Sequence, residues 1–372
     1  MDKGMNTGSD ILIVGQTPPP YHGQAVVTSM LFDHDWGDLK VERLRMSYSD
    51  SIDAVGKLAP GKLLHLLSLI LKTWWIALTK KPEIFYYLPA SANKAPVIRD
   101  ILYLNAVRWC FPKTIFHYHA GGLPLYLNSL GKLGEIAKKT YADADISIDV
   151  IETEPPSGSF FASKENVVVR NGIDAMSARP NRDDNGIFQI IFVGLLSEGK
   201  GVMQIVETAK ILRDRNCQFH CKVIGDWSSE AFHNEVEAKI KNDHLEGSFQ
   251  FTGPLSGADK WQAYADADCF FFPSHYEAET FGIVLVEAMA YNLPLVTSRW
   301  RGIPRVVEGG NCAILCDIKS PNLFADALEE LSKDADKRKE MGNAARKHYE
   351  ACYTRERFIN SMEKVFVDLL KV

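Results

Sequence analysis

Short apolar runs alternate along this chain with longer stretches in which apolar residues recur every three or four positions. Apolar runs of about four to eight residues between turn residues are typical of buried strands, and the longer amphipathic stretches are typical of helices. The first run, ILIVG at 11–15, leads through a proline-rich loop to a helix predicted to begin near Gln24. Ten further strands are predicted, at 84–88, 114–119, 146–150, 167–169, 190–193, 220–224, 249–252, 269–272, 295–297 and 313–315. This alternation predicts an α/β fold, with parallel sheets covered by helices on both faces.

A length of 372 residues is more than one ordinary hydrophobic core accommodates, so we expect two domains. The predicted boundary lies near residue 175, where an Asn-Gly turn leads into the polar, turn-rich segment 178–186. A new alternation of strands and helices begins at Phe188. The predicted organisation is an N-terminal domain over 1–175, a C-terminal domain over 176–354 and a final helix over 355–372.

Composition narrows the class of protein. Hydrophobic residues make up 46% of the chain and charged residues 24%, as in soluble globular proteins. The net charge of −5 argues against general nucleic-acid binding, so no nucleic-acid partner is expected. The seven cysteines form no CxxC pair and have no histidines at zinc-finger spacing, which predicts buried reduced thiols and no metal site. Because the N-terminal residues are polar and do not form a signal peptide, we expect a cytoplasmic protein.

The segment 273–308 carries the most specific pattern in the chain. It holds Glu279 and Glu287 with seven residues between them, and after Phe281-Gly282 an apolar run follows that is typical of a helix. The N–H groups and the dipole of a helix N-terminus attract anions. Glu287, about one and a half turns into that helix, could accept hydrogen bonds from sugar hydroxyls in a solvent-facing crevice. These residues predict a receptor for a phosphorylated sugar. The alternative is an ordinary helix with one acidic residue at its entry and one on its surface.

The residues around these two glutamates match a known pattern at many fixed positions. The matching residues are Pro273, Ser274, Glu279, Phe281, Gly282, Glu287, Ala288, Met289, Ala290, Pro294, Gly302, Ile303 and Pro304. The segment resembles the donor-binding segment of the retaining glycosyltransferases of the GT-B fold, of the glycosyltransferase family 4 (group 1) type. Asn292 stands where relatives usually carry glycine after the helix, and asparagine also adopts the left-handed conformation of a helix C-cap.

The resemblance implies an α/β architecture of two Rossmann-like doubly wound parallel-sheet domains that face a cleft. The acceptor would bind to the N-terminal domain and the nucleotide-sugar donor mainly to the C-terminal domain. The implied roles are ribose binding for Glu287, and orientation of the donor sugar for Glu279 and the backbone of Phe281, Gly282 and Ile283. In that family the last helix also crosses back onto the N-terminal domain. An apolar face of the final helix fits such a crossing and comprises Phe358, Met362, Val365, Phe366 and Leu369.

A glycine-rich loop follows the strand predicted at 190–193. Gly194 begins this loop and Lys200 lies at the start of the next helix, so loop N–H groups, the helix dipole and an ammonium could hold a diphosphate. Lys200 matches a lysine of the family that this chain resembles, but Leu195 stands in place of an arginine and cannot make its bidentate contact. Candidates to contact the diphosphate instead are Arg299, Arg301 and Arg305. The alternative is that these arginines are solvated.

The N-terminal domain contributes a pair of histidines to the predicted site. His117 and His119 end a predicted strand, and alternation along the strand places them on the same side. The carboxyl end of a parallel strand faces the ligand crevice of a doubly wound domain. The resemblance implies that His119, with His117 as the alternative, lines the sugar site, and that Gly23 lies near the donor phosphates. Gly225 and Leu255, which follow two strands of the C-terminal domain, match positions near the nucleotide base; ordinary βα turns are the alternative.

The segment 56–113 differs from the rest of the chain in charge, since its nine basic and two acidic residues give a balance of +7. It also contains the apolar stretch 63–78 with Trp74 and Trp75. A lysine and a histidine interrupt this stretch, so a membrane-spanning helix is not expected. A basic, aromatic-bearing amphipathic surface could contact an anionic membrane. The alternative is a core helix of the N-terminal domain.

These features predict a cytoplasmic retaining glycosyltransferase that moves a sugar from a nucleotide-sugar donor to a glycan or lipid-linked acceptor, with peripheral contact at the inner face of the membrane as a further expectation. The candidate catalytic residues are His119, Glu279 and Lys200. Neither a metal nor a cofactor is expected, because Lys200 and a helix dipole can stabilise the departing nucleoside diphosphate. The family context implies a role in bacterial surface polysaccharide or glycoconjugate biosynthesis. The alternatives are a sugar-nucleotide epimerase or hydrolase on the same fold, and a non-catalytic scaffold that has lost donor binding, which Leu195 favours.

Overall fold

The computed structural model describes residues 8–19, 23–46, 60–119, 121–174 and 186–371. The chain divides into two compact units, the first formed by Met1–Asn171 with Arg355–Val372 and the second by Gly172–Thr354. The predicted boundary at residue 175, and the predicted linker as far as residue 185, lie outside the described residues.

The first unit is built around one parallel sheet. Its strands are β1 (Ile11–Gly15), β2 (Val41–Arg45), β3 (Ile84–Tyr87), β4 (Lys113–Tyr118), β5 (Ile146–Asp149) and β6 (Glu165–Val168). Its helices are α1 (Gly23–Asp33), α2 (Pro60–Lys80), α3 (Lys94–Val107), α4 (Leu123–Ser129), α5 (Lys132–Tyr141) and α6 (Ser157–Phe160), and a 3-10 turn at Arg108–Cys110 follows α3. The strand order is β2-β1-β3-β4-β5-β6, with every neighbouring pair parallel. The central strands β1, β3 and β5 are buried along their whole length, as parallel strands between helical layers are.

The last helix, Arg355–Lys371, packs on the first unit through its apolar face. Its buried residues are Phe358, Ile359, Met362 and Phe366. The ring of Phe366 lies 5.3 Å from the ring of Trp36, and 5.7 Å from the ring of Tyr86 in an edge-on arrangement. The Lys113 ammonium donates a hydrogen bond of 2.9 Å to the Leu369 carbonyl. This helix therefore completes the core of a unit whose other residues precede Gly172 in the chain.

The second unit repeats the same architecture. Its strands are β7 (Phe188–Val193), β8 (Phe219–Ile224), β9 (Phe249–Gly253), β10 (Cys269–Phe272), β11 (Leu295–Ser298) and β12 (Ala313–Cys316). Its helices are α7 (Val202–Asp214), α8 (Glu230–Asn242), α9 (Gly257–Ala265), α10 (Ile283–Ala290), α11 (Ile303–Val307), α12 (Pro321–Lys333) and α13 (Ala335–Cys352), so the last helix of the chain is α14. The strand order is β12-β11-β10-β7-β8-β9, again all parallel. The strand order reverses at β7, so the site where ligands bind in such sheets lies at the carboxyl ends of β7 and β10.

The predicted strands agree with the structure, with one omission. Each of the eleven predicted strands is present, and its ends lie within two residues of the prediction. The strand that the sequence analysis misses is β2, whose sequence is VERLR and in which only Leu44 is buried. β2 lies at the edge of its sheet, where a strand needs no continuous apolar run. The predicted left-handed conformation of Asn292 is confirmed, because this residue follows the C-cap of α10 with a φ of 57°.

Candidate active site

The glycine-rich loop between β7 and α7 packs closely against the chain that follows β10. Gly201 caps α7 with a φ of 83°, and a Cβ atom there would lie 2.3 Å from the Pro273 carbonyl oxygen. The backbone N–H of His275 donates to the Gly199 carbonyl at 2.8 Å. Only glycine permits this approach of two backbones. The approach brings the start of α7 beside the loop that leads to α10.

Lys200 and Glu279 are joined by this packing. The Nζ of Lys200 lies 2.7 Å from Oε2 of Glu279, and the Ser274 hydroxyl donates to the same oxygen at 2.7 Å. The Lys200 ammonium also lies 4.9 Å from the centroid of the Tyr276 ring. The side chain of Glu279 is only 6% exposed, whereas that of Lys200 is 20% exposed. The buried carboxylate is thus paired, and a partly accessible cation lies at the entry to α10.

Helix α10 begins directly after this pair. Gly282 is its N-cap, with a φ of 65°, and Phe281 is buried edge-on against Tyr353. Ile283 is the first helical residue. The first N–H groups of a helix have no partner within the helix and attract negative charge. A phosphate group here could therefore be bound by both an ammonium and backbone donors.

Glu287 is held by a neighbouring helix. Its carboxylate accepts hydrogen bonds from the Lys260 ammonium at 2.6 Å and from the Tyr264 hydroxyl at 2.7 Å, both on α9. Glu287 is 7% exposed, so the expectation of a solvent-facing carboxylate is wrong. It is wrong because α9 packs over that part of α10. Burial, followed by the charge of Glu287, raises the pKa of Tyr264 well above its usual value, so this phenol remains a donor.

Lys260 and Tyr264 are not predicted as site residues from the sequence. The two residues lie four positions apart, which places them on one face of α9. That spacing is visible in the sequence, but a lysine and a tyrosine at helical spacing occur on many surface helices. Their role depends on a glutamate in another helix, and this contact exists only in the folded unit.

The three candidate arginines are paired with surface carboxylates. Arg299 lies 3.8 Å from Asp317, Arg305 lies 3.0 Å from Glu308, and Arg301 pairs with Glu277. Each of the three side chains is more than a third exposed. Exposed pairs of this kind are weak and can exchange partners. The positions of the three arginines are compatible with both the predicted diphosphate contact and the solvated alternative. Leu195, which stands in place of the family's arginine, is half-buried.

The carboxyl ends of β7, β8 and β9 are held together by close backbone contacts. A Cβ atom on Gly225 would lie 1.8 Å from the Gly194 carbonyl oxygen, and the φ of Gly225 is 147°. The Gly225 N–H donates to the Gly253 carbonyl at 3.1 Å. Leu255 lies half-buried in the loop after β9. Two of the predicted nucleotide contacts, Gly194 and Gly225, thus adjoin in space at the edge where parallel sheets bind ligands.

In the first unit, the histidine pair lies at the end of β4. The rings of His117 and His119 are 4.2 Å apart between centroids, in line with the predicted placement on one side of the strand. His117 is fully buried and its Nδ1 lies 2.6 Å from the Tyr86 hydroxyl. Burial, and then the nearby His119, lower the pKa of His117 well below its ordinary value. His119, at the strand end, is half-buried, and Gly23 begins α1.

The cysteines and acidic residues show no sign of a metal centre within the part of the chain that the structure describes. No group of three or more His, Cys, Asp or Glu residues there is placed to hold a metal ion. The seven cysteines are free and buried or half-buried. Burial raises the pKa of the Cys221 thiol to about 12, so this thiol is protonated at neutral pH.

One family model matches most of the second unit. Residues 177–348 match the family model described as glycosyl transferases group 1. The D-inositol 3-phosphate glycosyltransferase of Paenarthrobacter aurescens is 31% identical over 177 residues, which are 47% of this chain and 42% of that protein. The N-acetyl-alpha-D-glucosaminyl L-malate synthase of Bacillus anthracis is 30% identical over 132 residues, 36% of this chain and 34% of that protein. The chain thus spans less than half of the length of these curated relatives.

Solved structures resemble the chain over nearly its whole length. Sucrose-phosphate synthase from Thermosynechococcus elongatus matches with a TM-score of 0.73 and 15% identity, covering 97% of this chain and 99% of that one. A glycosyltransferase from Rickettsia africae matches with a TM-score of 0.70 and 15% identity, covering 98% and 99%. The Anabaena protein HepE in complex with UDP-glucose matches with a TM-score of 0.66 and 16% identity, covering 97% and 99%. At such low identity these matches show the fold, which is the GT-B fold of two parallel-sheet units.

Proposed function

We propose that the whole chain moves a sugar from a nucleotide-sugar donor to a glycan or lipid-linked acceptor. The starting point is the match of residues 177–348 to the model of the glycosyl transferases group 1 family. The observation that carries this proposal is the pairing of Lys200 with Glu279 at the entry to α10. A cation beside free helix N–H groups suits a diphosphate, and a buried carboxylate beside them suits sugar hydroxyls.

A nucleoside diphosphate sugar fits this arrangement. HepE has been solved in complex with UDP-glucose, and this supports a uridine nucleotide as the first donor to test. In the proposed complex Lys200 and the N-terminus of α10 bind the diphosphate. Glu279 and the backbone of Phe281–Ile283 orient the sugar, and Glu287 accepts a ribose hydroxyl.

The proposed reaction retains the configuration at the anomeric carbon. The acceptor hydroxyl attacks from the face that the diphosphate leaves, so the bond to the diphosphate oxygen breaks as the bond to the acceptor oxygen forms. The acceptor proton passes to the departing phosphate oxygen. Glu279 already accepts hydrogen bonds from Lys200 and Ser274, which suits an orienting role better than that of a covalent nucleophile. The proposed charge stabilisation comes from an ammonium and a helix dipole, without a metal.

The proposed setting is the cytoplasmic face of a bacterial membrane, in surface polysaccharide or glycoconjugate biosynthesis. The charge of +7 over residues 56–113 supports contact with an anionic membrane, because each basic residue near such a surface adds to the attraction. A donor site in the second unit and a basic surface in the first unit would serve different substrates.

Calorimetric titration with UDP-, GDP-, ADP- and dTDP-sugars tests the proposal. We expect one nucleotide class to bind, and the same donor to be consumed only when an acceptor glycan or glycolipid is added. Turnover of the donor without an acceptor would instead indicate an epimerase or hydrolase. Failure of all four classes to bind would indicate a scaffold, the alternative that Leu195 favours. Recovery of binding in Leu195→Arg would then show that the missing arginine is the cause.

A further inference from the structure

One face of helix α2 exposes an unusual number of large apolar side chains. These are Leu63, Leu64, Leu67, Leu71, Trp74, Trp75 and Leu78, and their exposed fractions range from 36% to 76%. They recur every three or four residues, so they form one continuous stripe along the helix. Isolated apolar residues on a surface are ordinary, but a contiguous stripe of this size marks an interaction surface.

The neighbouring helix extends this stripe. Leu102 on α3 is 50% exposed, and Trp109 in the following 3-10 turn is 74% exposed. The indole N–H groups of Trp74 and Trp109 both donate to the Ala106 carbonyl, at 2.9 and 2.8 Å. Because they share one acceptor, the two rings adjoin. The stripe on α2 together with Leu102 and Trp109 forms one surface, the α2–α3 apolar face.

The charges around this face favour an anionic lipid surface over a protein partner. Helix α2 contains three lysines and no acidic residue. Lys72 and Lys81 are exposed, and Lys80 closes the helix. Glu83, the first carboxylate after the helix, lies 3.8 Å from Lys113. Tryptophans beside leucines with flanking lysines are typical of helices that bind at the boundary between lipid headgroups and acyl chains.

The opposite face of α2 determines how the helix can meet a bilayer. With 21 residues, α2 would be about 32 Å long, and Leu63–Lys80 has the length and hydropathy of a membrane span. However, Leu66, Leu69 and Ile76 are buried in the core of the first unit. The Thr73 hydroxyl also lies 2.8 Å from the hydroxyl of the buried Tyr103. A spanning helix would have to leave these partners, whereas a helix lying in the membrane plane keeps them.

We infer that the α2–α3 apolar face inserts into one leaflet of an anionic lipid bilayer, with α2 parallel to the membrane surface. Trp75 and Trp109 reach the headgroup boundary, and Lys72, Lys80 and Lys81 contact anionic headgroups. This inference deepens the membrane contact proposed above and does not depend on the donor site in the second unit. It assigns the first unit to the bilayer, where a lipid-linked acceptor would be found.

Vesicle co-sedimentation of the full chain tests this inference. We expect binding to vesicles of phosphatidylcholine with phosphatidylglycerol, weaker binding to phosphatidylcholine alone, and a decrease with added salt. The double variant Leu71→Ser/Leu78→Ser should reduce the partition coefficient by about tenfold or more, since it removes two exposed leucines from the face. The matched control is Ile187→Ser/Leu323→Ser, which removes two exposed apolar residues of the second unit and should leave binding unchanged.

Two further measurements distinguish insertion of the α2–α3 apolar face into lipid from binding of a second copy of the chain. Brominated lipids should quench the tryptophan fluorescence of the wild-type chain, and Trp75→Phe/Trp109→Phe should remove most of that quenching. Binding that is insensitive to Leu71→Ser/Leu78→Ser, or absent altogether, would overturn the inference. A dimer that forms with rising protein concentration in sedimentation velocity would also overturn the inference, if Leu71→Ser/Leu78→Ser abolishes it and the wild type binds no vesicles. The α2–α3 apolar face would then bind a second copy of the chain. Donor titration should be the same in the double variant and the wild type, so failure of donor binding would count against the proposed function alone.

Discussion

Lys200 and Glu279 form an ion pair with a distance of 2.7 Å between Nζ and Oε2, and they connect the loop before α7 to the loop before α10. The carboxylate is almost fully buried, and Ser274 donates to the same oxygen. Removing one partner of a buried pair leaves the other charge without compensation. A bound diphosphate would compete with Glu279 for the ammonium, and the pair holds this ammonium at the entry to α10.

We expect Lys200→Ala to weaken nucleoside diphosphate binding by about tenfold to about a hundredfold. A hydrogen bond to a charged group contributes about 1.5–3 kcal/mol, and about 1.4 kcal/mol corresponds to a factor of ten. Calorimetric titration of both proteins with the preferred nucleotide measures the change. Lys210→Ala is the matched control, because Lys210 is an exposed lysine of the same unit and its partner Asp243 keeps a second lysine, Lys239, at 2.6 Å. Equal affinities of wild type and Lys200→Ala would exclude a diphosphate contact for this lysine.

Glu287→Ala should reduce both donor affinity and stability. The substitution leaves the Lys260 ammonium and the buried Tyr264 hydroxyl without their shared acceptor, and an unpaired buried donor costs about 1–3 kcal/mol. Glu287→Gln keeps an acceptor for one of the two donors and should lose less stability. Thermal unfolding followed by circular dichroism, together with nucleotide titration, distinguishes the two effects. If Glu287→Ala has the unfolding temperature and the nucleotide affinity of the wild type, then neither the contacts of Glu287 with Lys260 and Tyr264 nor its proposed ribose contact has the assigned importance.

Glu279 and Glu287 show how much of the site the sequence can predict. The pattern over 273–304 identifies both residues, because residue types at fixed offsets are visible in the chain. Their partners are not visible in this way, since Lys260 reaches Glu287 from another helix and Lys200 reaches Glu279 from a loop 79 positions away. The strand CFFF at Cys269–Phe272 is predicted with its observed ends because it is buried along its whole length. The edge strand β2 has one buried residue and leaves no comparable pattern.

Gly302→Ala should disturb the loop that precedes α10. A Cβ atom on Gly302 would lie 1.7 Å from the Thr280 carbonyl oxygen, so the backbone around Phe281 and Gly282 would have to move. The φ of Gly302 is −76°, so the expected effect is steric and does not arise from backbone strain. We expect weaker donor binding and a destabilisation of about 1–3 kcal/mol in denaturant unfolding. The control is Gly247→Ala, where the added methyl group meets open space. Equal effects of the two substitutions would contradict this role for the contact.

Sugar transfer should proceed without a divalent metal ion. The proposed site supplies the charge of Lys200 and the N-terminal dipole of α10 to the departing diphosphate. Transfer activity measured in excess EDTA should equal the activity with added magnesium. The control is a metal-dependent glycosyltransferase assayed in the same buffers, which EDTA should inactivate. Loss of turnover in EDTA that magnesium restores would assign a metal ion to this step.

The stability of the chain should fall as the pH is lowered through the ordinary range of histidine titration. Burial and the nearby His119 keep the pKa of His117 well below its ordinary value in the folded chain. The unfolded chain takes up a proton near pH 6.5, so below about pH 6.5 it binds more protons than the folded chain and the free energy of unfolding decreases. His117→Gln, which cannot be protonated in this range, should reduce the slope by up to about 1.4 kcal/mol per pH unit. Urea unfolding between about pH 5 and about pH 8 measures the slope, and the exposed His244, replaced by Asn, is the control. An unchanged slope in His117→Gln would show that this histidine is already protonated in the folded chain or makes no difference to its stability.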